Sequence, residues 1–158
     1  MRLKSSRIVA TVTCISLITG AGVFSQMAGA QPETPFSPQI PKGCTALQEV
    51  STGSTVVRKQ FRLGNENADF AVPVGRVYKS YRAELRPENN ADYSVKVNLK
   101  YSDNSSSTVY DGKISMTRMK PYALTFRSPI VKQPYQINIV VGSARNNAYS
   151  IAAQACSK

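Results

Sequence analysis

The chain predicts an all-β protein, an antiparallel β-sandwich of about seven to nine strands, jelly-roll or immunoglobulin-like in its connections. Three observations carry that expectation. Apolar and polar residues alternate with period two over most of the sequence, turn formers recur between the alternating runs, and no segment holds a helical period over ten residues. The clearest run is 93–101, where Tyr93, Val95, Val97, Leu99 and Tyr101 point one way while Ser94, Lys96, Asn98 and Lys100 point the other. Successive side chains of a strand face opposite sides, so this is a half-buried strand.

The other elements follow in order. Residues 45–50 read as one helical turn. In 57–63, Val57, Lys59, Phe61 and Leu63 oppose Arg58, Gln60 and Arg62. Further strands are expected at 70–74, 77–85, 107–110, 113–119, 122–126, 135–141 and 149–155, separated by Gly-, Pro-, Asn- and Ser-rich turns. Asp111-Gly112 between two short runs reads as a two-residue hairpin.

Domain organisation follows from the first part of the chain. Arg2, Lys4 and Arg7 precede an apolar run from Ile8 to Phe24 and an Ala28-Gly29-Ala30 cleavage pattern, so residues 1–30 read as a secretory signal peptide. Cys14 would leave with it. Of the 158 residues, 128 would remain: a proline-rich extended arm over 31–43, with Pro32, Pro35, Pro38 and Pro41 in polyproline spacing, and one sandwich domain over 44–158. No later apolar run approaches the roughly 18 residues of a membrane span. The expected location is periplasmic or extracellular. There Cys44 and Cys156 are expected to close a disulfide between the two ends of the domain.

Charge narrows the partners. The formal net charge is +11, and loss of three leader cations leaves 17 basic against 9 acidic residues, a net of +8. Arg76, Tyr78, Arg82 and Arg86 share one parity around the 77–85 run, and Lys96 and Lys100 share one on the next, so a basic sheet face is expected. Anionic polysaccharide, a lipid headgroup or an envelope protein would suit it, whereas solubility alone is the bland alternative. Nucleic acid is disfavoured by the absence of tryptophan and by export.

Catalytic chemistry finds little support. The absence of histidine removes His-dependent acid–base work, the Ser-His-Asp arrangement and imidazole metal sites. Nine carboxylates show no spacing that selects a pair for glycosidase chemistry. Ser102, Ser105, Ser106 and Ser107 read as a loop tip rather than a nucleophile. Asn65, Asn67 and Asp69, and separately Asn90 and Asp92, offer oxygens of the kind calcium takes, without the spacing of a dedicated loop. No cofactor or metal is expected. Three functional readings therefore stand: an exported non-enzymatic binding or accessory module, a structural subunit of an envelope assembly, and a carboxylate-dependent hydrolase.

A family resemblance bears on the choice. The segment Asp69 to Gly75, DFAVPVG, resembles the first-strand end and Val-Pro-x-Gly turn of the bacterial pre-peptidase C-terminal domain. Asp92-Tyr93-Ser94-Val95 resembles its Asp-aromatic strand, and Ser128-Pro129, Tyr135 to Val141 and Ala148 to Ile151 resemble its closing strands. The likeness spans about residues 69–153, with Gln133-Pro134 where that family usually carries Gly-Thr. It implies a small non-catalytic β-sandwich with binding or stabilising roles, here standing alone.

Overall fold

The computed structural model describes residues 34–157. The expected signal peptide and Gln31 to Glu33 of the arm lie outside the described residues. The elements are β1 (Cys44–Ala46), β2 (Gln48–Glu49), β3 (Val57–Gln60), β4 (Glu66–Ala71), β5 (Ser80–Pro87), β6 (Ala91–Lys100), β7 (Ser106–Met116), β8 (Tyr122–Phe126), β9 (Gln136–Gly142) and β10 (Ala148–Cys156). Among the described residues there is no helix.

Two antiparallel sheets form a sandwich. One runs β1-β10-β5-β8, with β3 also pairing β10, and is called the β5 sheet below; the other, the β6 sheet, runs β2-β4-β9-β6-β7. The inward sides meet in a single core. Tyr93, Val95, Val97 and Leu99 of β6, with Tyr101 just past its end, are all at most 1% exposed and pack with Ile137, Ile139 and Val141 of β9. Tyr81, Ala83 and Leu85 of β5 and Tyr149, Ile151 and Ala153 of β10 supply the opposite side. Each large side chain withdrawn from water in this way stabilises by about 1.5–3 kcal/mol before entropy is counted.

Four local expectations are corrected. Residues 45–50 form no helical turn, because Thr45 finds Ala155 and Glu49 finds Phe70 as ladder partners. Asp111-Gly112 is no hairpin: β7 runs straight through it, with Asp111 opposite Lys96 and Gly112 opposite Val95. The long ladder with β6 overrides the local turn chemistry, and a Cβ at Gly112 would stand 3.1 Å from the Tyr110 hydroxyl. The 77–85 run starts its strand only at Ser80, leaving Val77 81% exposed in a loop. Leu63, expected inward, is 87% exposed: the chain leaves the sheet after Phe61, which closes a backbone pair with Asn146 and Asn147.

Residues 34–43 lie across the outward side of β5 and β10. The Arg86 guanidinium donates to the Thr34 carbonyl at 3.0 Å and stands 5.1 Å over the Phe36 ring, and the Gln154 amide donates to the Gln39 carbonyl at 2.8 Å. This cover explains why every residue of β10 is buried, and why outward Glu84 and Gln154 are only 3% and 1% exposed. A turn closed by the Cys44 amide on the Pro41 carbonyl, with Gly43 at φ 86°, then reverses the chain into β1. Cys44 thereby faces Cys156 across the ladder, and the two form a disulfide.

Candidate binding surface at one end of the sandwich

The six residues of the expected basic face fall in three places. Arg82 and Arg86 lie outward on β5, beneath and beside the arm, where Arg82 pairs with Glu84 at 3.2 Å and Arg86 holds Thr34 and Phe36. Lys96 and Lys100 lie outward on the other sheet, where Lys96 is 3.2 Å from Asp111 and Lys100 3.3 Å from Asp69. Arg76 and Tyr78 lie in the loop before β5, and Tyr78 is buried.

The outward side of the β6 sheet is closed on itself chemically. Thr108 donates to Asn98 (2.8 Å), Asn98 to Asn138 (3.1 Å) and Asn138 to Asp69 (3.0 Å), a polar ladder across four strands. The oxygens considered for calcium are similarly engaged: Asp69 accepts from Asn138, Asn90 accepts from the Arg118 amide at 2.6 Å, and Asp92 accepts from Ser115 at 2.5 Å. Asn65 immediately precedes β4 and lines a cleft with Asp92, Ser94 and Lys113, so one member of each group comes together there, with a single carboxylate between them. Among the described residues no three acidic or thiol groups come together.

A further group of cations gathers elsewhere. Loop 72–79, between β4 and β5, and loop 127–135, between β8 and β9, meet at the end of the sandwich that also carries the disulfide. The Tyr78 amide donates to the Gln133 side chain and the Val72 amide to the Tyr135 carbonyl, at 2.9 and 2.8 Å. The Ser128 hydroxyl donates to the Lys132 carbonyl at 2.9 Å and lies 2.9 Å from the Tyr101 hydroxyl. The Lys79 amide donates to the Cys156 carbonyl at 2.8 Å, tying the first loop to the bridge. Lys132 reaches Asp103 of the β6–β7 turn, whose carboxyl this hydrogen bond holds well below the usual carboxylate range.

These two loops contain Arg76, Lys79, Arg127 and Lys132 and no carboxylate. Arg76, Lys79 and Arg127 have no ion-pair partner among the described residues. Beside them stand apolar side chains held in water: Val74 is 91% exposed, Val131 fully exposed, Ile130 42%. Gly75, at φ 80°, takes the left-handed place in the turn that lifts Val74 and Arg76 outward. A cleft of about 190 Å³ runs between the loops, lined among others by Val77, Lys79, Arg127, Val131 and Gln133. Tyr81 also lines it, and the Tyr81 hydroxyl meets no partner among the described residues. Burial, then the neighbouring Tyr101 and Tyr78, push that phenol up to about 12.

Sequence reasoning missed Lys79, Arg127 and Val131. The readable signal was that VPVGRVYK and RSPIVKQPY each mix aliphatic residues with cations and hold no acid.

The class of protein defined to this point is a disulfide-closed antiparallel β-sandwich. No protein-family model and no curated protein matches the chain. Among solved structures, it is similar to a point mutant of the family 29 carbohydrate binding module CBM29-2 complexed with mannohexaose, at 12% identity and TM-score 0.46, covering 77% of this chain and 86% of that one. It is similar to Pseudomonas aeruginosa AlgX at 12% identity and TM-score 0.44, covering 68% of this chain and 27% of that one. It is also similar to the Clostridium thermocellum Xyn10B CBM22-1-GH10 modules complexed with xylohexaose, at 10% identity and TM-score 0.41, covering 73% of this chain and 24% of that one.

Proposed function

We propose that the chain is an exported, non-enzymatic binding module that engages a polyanionic envelope or extracellular component through the 72–79 and 127–135 loops. One observation carries this: of the cations expected on the two sheets, Arg82, Lys96 and Lys100 are matched by carboxylates and Arg86 holds the arm, whereas Arg76, Lys79 and Arg127 sit in two adjoining loops that carry no carboxylate. A cation already 3.2 Å from a carboxylate gives a distant anion little net field, while unpaired cations on one end add. The disulfide suits an oxidising compartment. The cleft between the two loops is lined by no carboxylate, so it gives no footing to a two-carboxylate hydrolase. The resemblance to pre-peptidase C-terminal domains supports the same class of role.

Salt-gradient elution from a polyanionic matrix tests it. An exposed cation near an anionic surface is worth about 1 kcal/mol, so Lys79→Gln with Arg127→Gln is expected to weaken retention roughly thirtyfold and to elute at clearly lower salt. Lys96→Gln with Lys100→Gln should stay near the parent. The reverse ranking would move the binding face to the β6 sheet, and equal retention of all three proteins would end the polyanion reading.

A further inference from the structure

We infer that this same end docks on an anionic phospholipid surface, its cations meeting headgroup phosphates while Val77 and Val131 enter the apolar boundary beneath them. The inference rests on the polyanion reading above and adds to it a use for the aliphatic side chains.

Those side chains are not exposed through looseness. The backbone that presents them is pinned by the Tyr78–Gln133, Val72–Tyr135 and Ser128–Lys132 hydrogen bonds and by the disulfide strand. Val77 at 81% exposure and Val131, fully exposed, line one cleft together with Ile130, so they form a single apolar tip rather than scattered residues. Lys79, Arg127 and Lys132 line the same cleft, and Arg76 precedes Val77 by one residue.

The mixture selects the partner. A polyanion in water, whether glycan or polyphosphate, would engage the cations and leave the valines wet. A partner protein would bring its own carboxylates to the rim but needs a broad apolar area, and these tips alternate with cations too closely to offer one. A bilayer of anionic lipid presents phosphate and, a few ångströms deeper, hydrocarbon, and so can take up both the cations and the aliphatic tips at once. Each valine withdrawn from water is worth on the order of tenfold in partitioning, and each cation at an anionic surface roughly fivefold.

The test uses the disulfide-closed chain with sedimentation on vesicles of phosphatidylcholine alone and of phosphatidylcholine mixed with phosphatidylglycerol. The parent should bind the mixed vesicles and not the neutral ones. Val77→Ser with Val131→Ser should lose roughly a hundredfold of vesicle binding while eluting from the polyanionic matrix at the parent's salt concentration. Lys79→Gln with Arg127→Gln should lose both. Thermal melts matching the parent would show that these exposed substitutions leave the fold intact. If the parent is retained on the matrix in a salt-sensitive way but stays in the supernatant with mixed vesicles, lipid docking is overturned and the polyanion reading stands. If the valine variant binds vesicles as tightly as the parent, the insertion of the tips is overturned.

Discussion

Replacing Cys44 and Cys156 together by serine is expected to remove roughly 4–5 kcal/mol of stability, the figure that loop entropy assigns to a bridge of this span. The two cysteines are 112 residues apart in sequence, so the bridge restricts almost the whole unfolded domain. They are also direct ladder partners, with Thr45 opposite Ala155 and Ala46 opposite Gln154 on the following rungs, so the sheet itself brings the cysteines together. Guanidinium unfolding of the oxidised parent and of the double variant measures the difference; a loss under about 1 kcal/mol would show that β1 closes on β10 without help. A second consequence is local. The Cys156 carbonyl accepts from the Lys79 amide, so loosening this strand loosens the 72–79 loop. A variant that still folds should therefore elute earlier from a polyanionic matrix.

What could be read from sequence depends on how many different media a strand touches. β6 was legible because one side meets the core and the other meets water, which imposes strict alternation. The burial of β10 was not legible, since its outward side lies under residues 34–43 and Ser150 and Gln154 are buried along with Tyr149 and Ile151. Nothing in a polyproline-spaced segment states which sheet it will cover. The same limit applies to the charges. Parity along a strand assigns Lys96 and Lys100 to one side, but only register places Asp111 opposite Lys96 and Asp69 within reach of Lys100. The expected basic face depended on charges whose neutralisation is a property of pairing between distant strands. Conversely, period two treats each valine as inward, and it carried Val77 into a strand although the hydrogen bonds of loop 72–79 hold it in solvent.

Truncating Tyr149 to alanine is expected to cost about 3–5 kcal/mol, whereas Tyr149→Phe should fall within about 1 kcal/mol of the parent. The ring is fully buried, stacks on Phe61 with centroids 5.3 Å apart and meets Tyr93 edge-on at 6.4 Å, so its removal opens a cavity at the centre of the sandwich. The hydroxyl, by contrast, has no hydrogen-bond partner among the described residues, so phenylalanine keeps the packing and sheds an unsatisfied polar atom. Tyr93 is the internal contrast, because its hydroxyl donates to the Ala148 carbonyl at 3.3 Å and its loss should cost about 1 kcal/mol. Titration separates the cases further. Burial raises the phenols of Tyr149 and Tyr81 above the ordinary value of 10.0. As pH rises past that value the unfolded chain releases protons the folded chain keeps, so the stability these phenols contribute is present below about pH 10 and lost as pH rises through the folded pKa. Denaturant unfolding at neutral and at strongly alkaline pH should show this decline in the parent and a shallower one in Tyr149→Phe. A Tyr149→Phe variant that loses more than about 2 kcal/mol at neutral pH would mean the hydroxyl is satisfied after all, since a buried hydroxyl stabilises by that much only through a bond it makes.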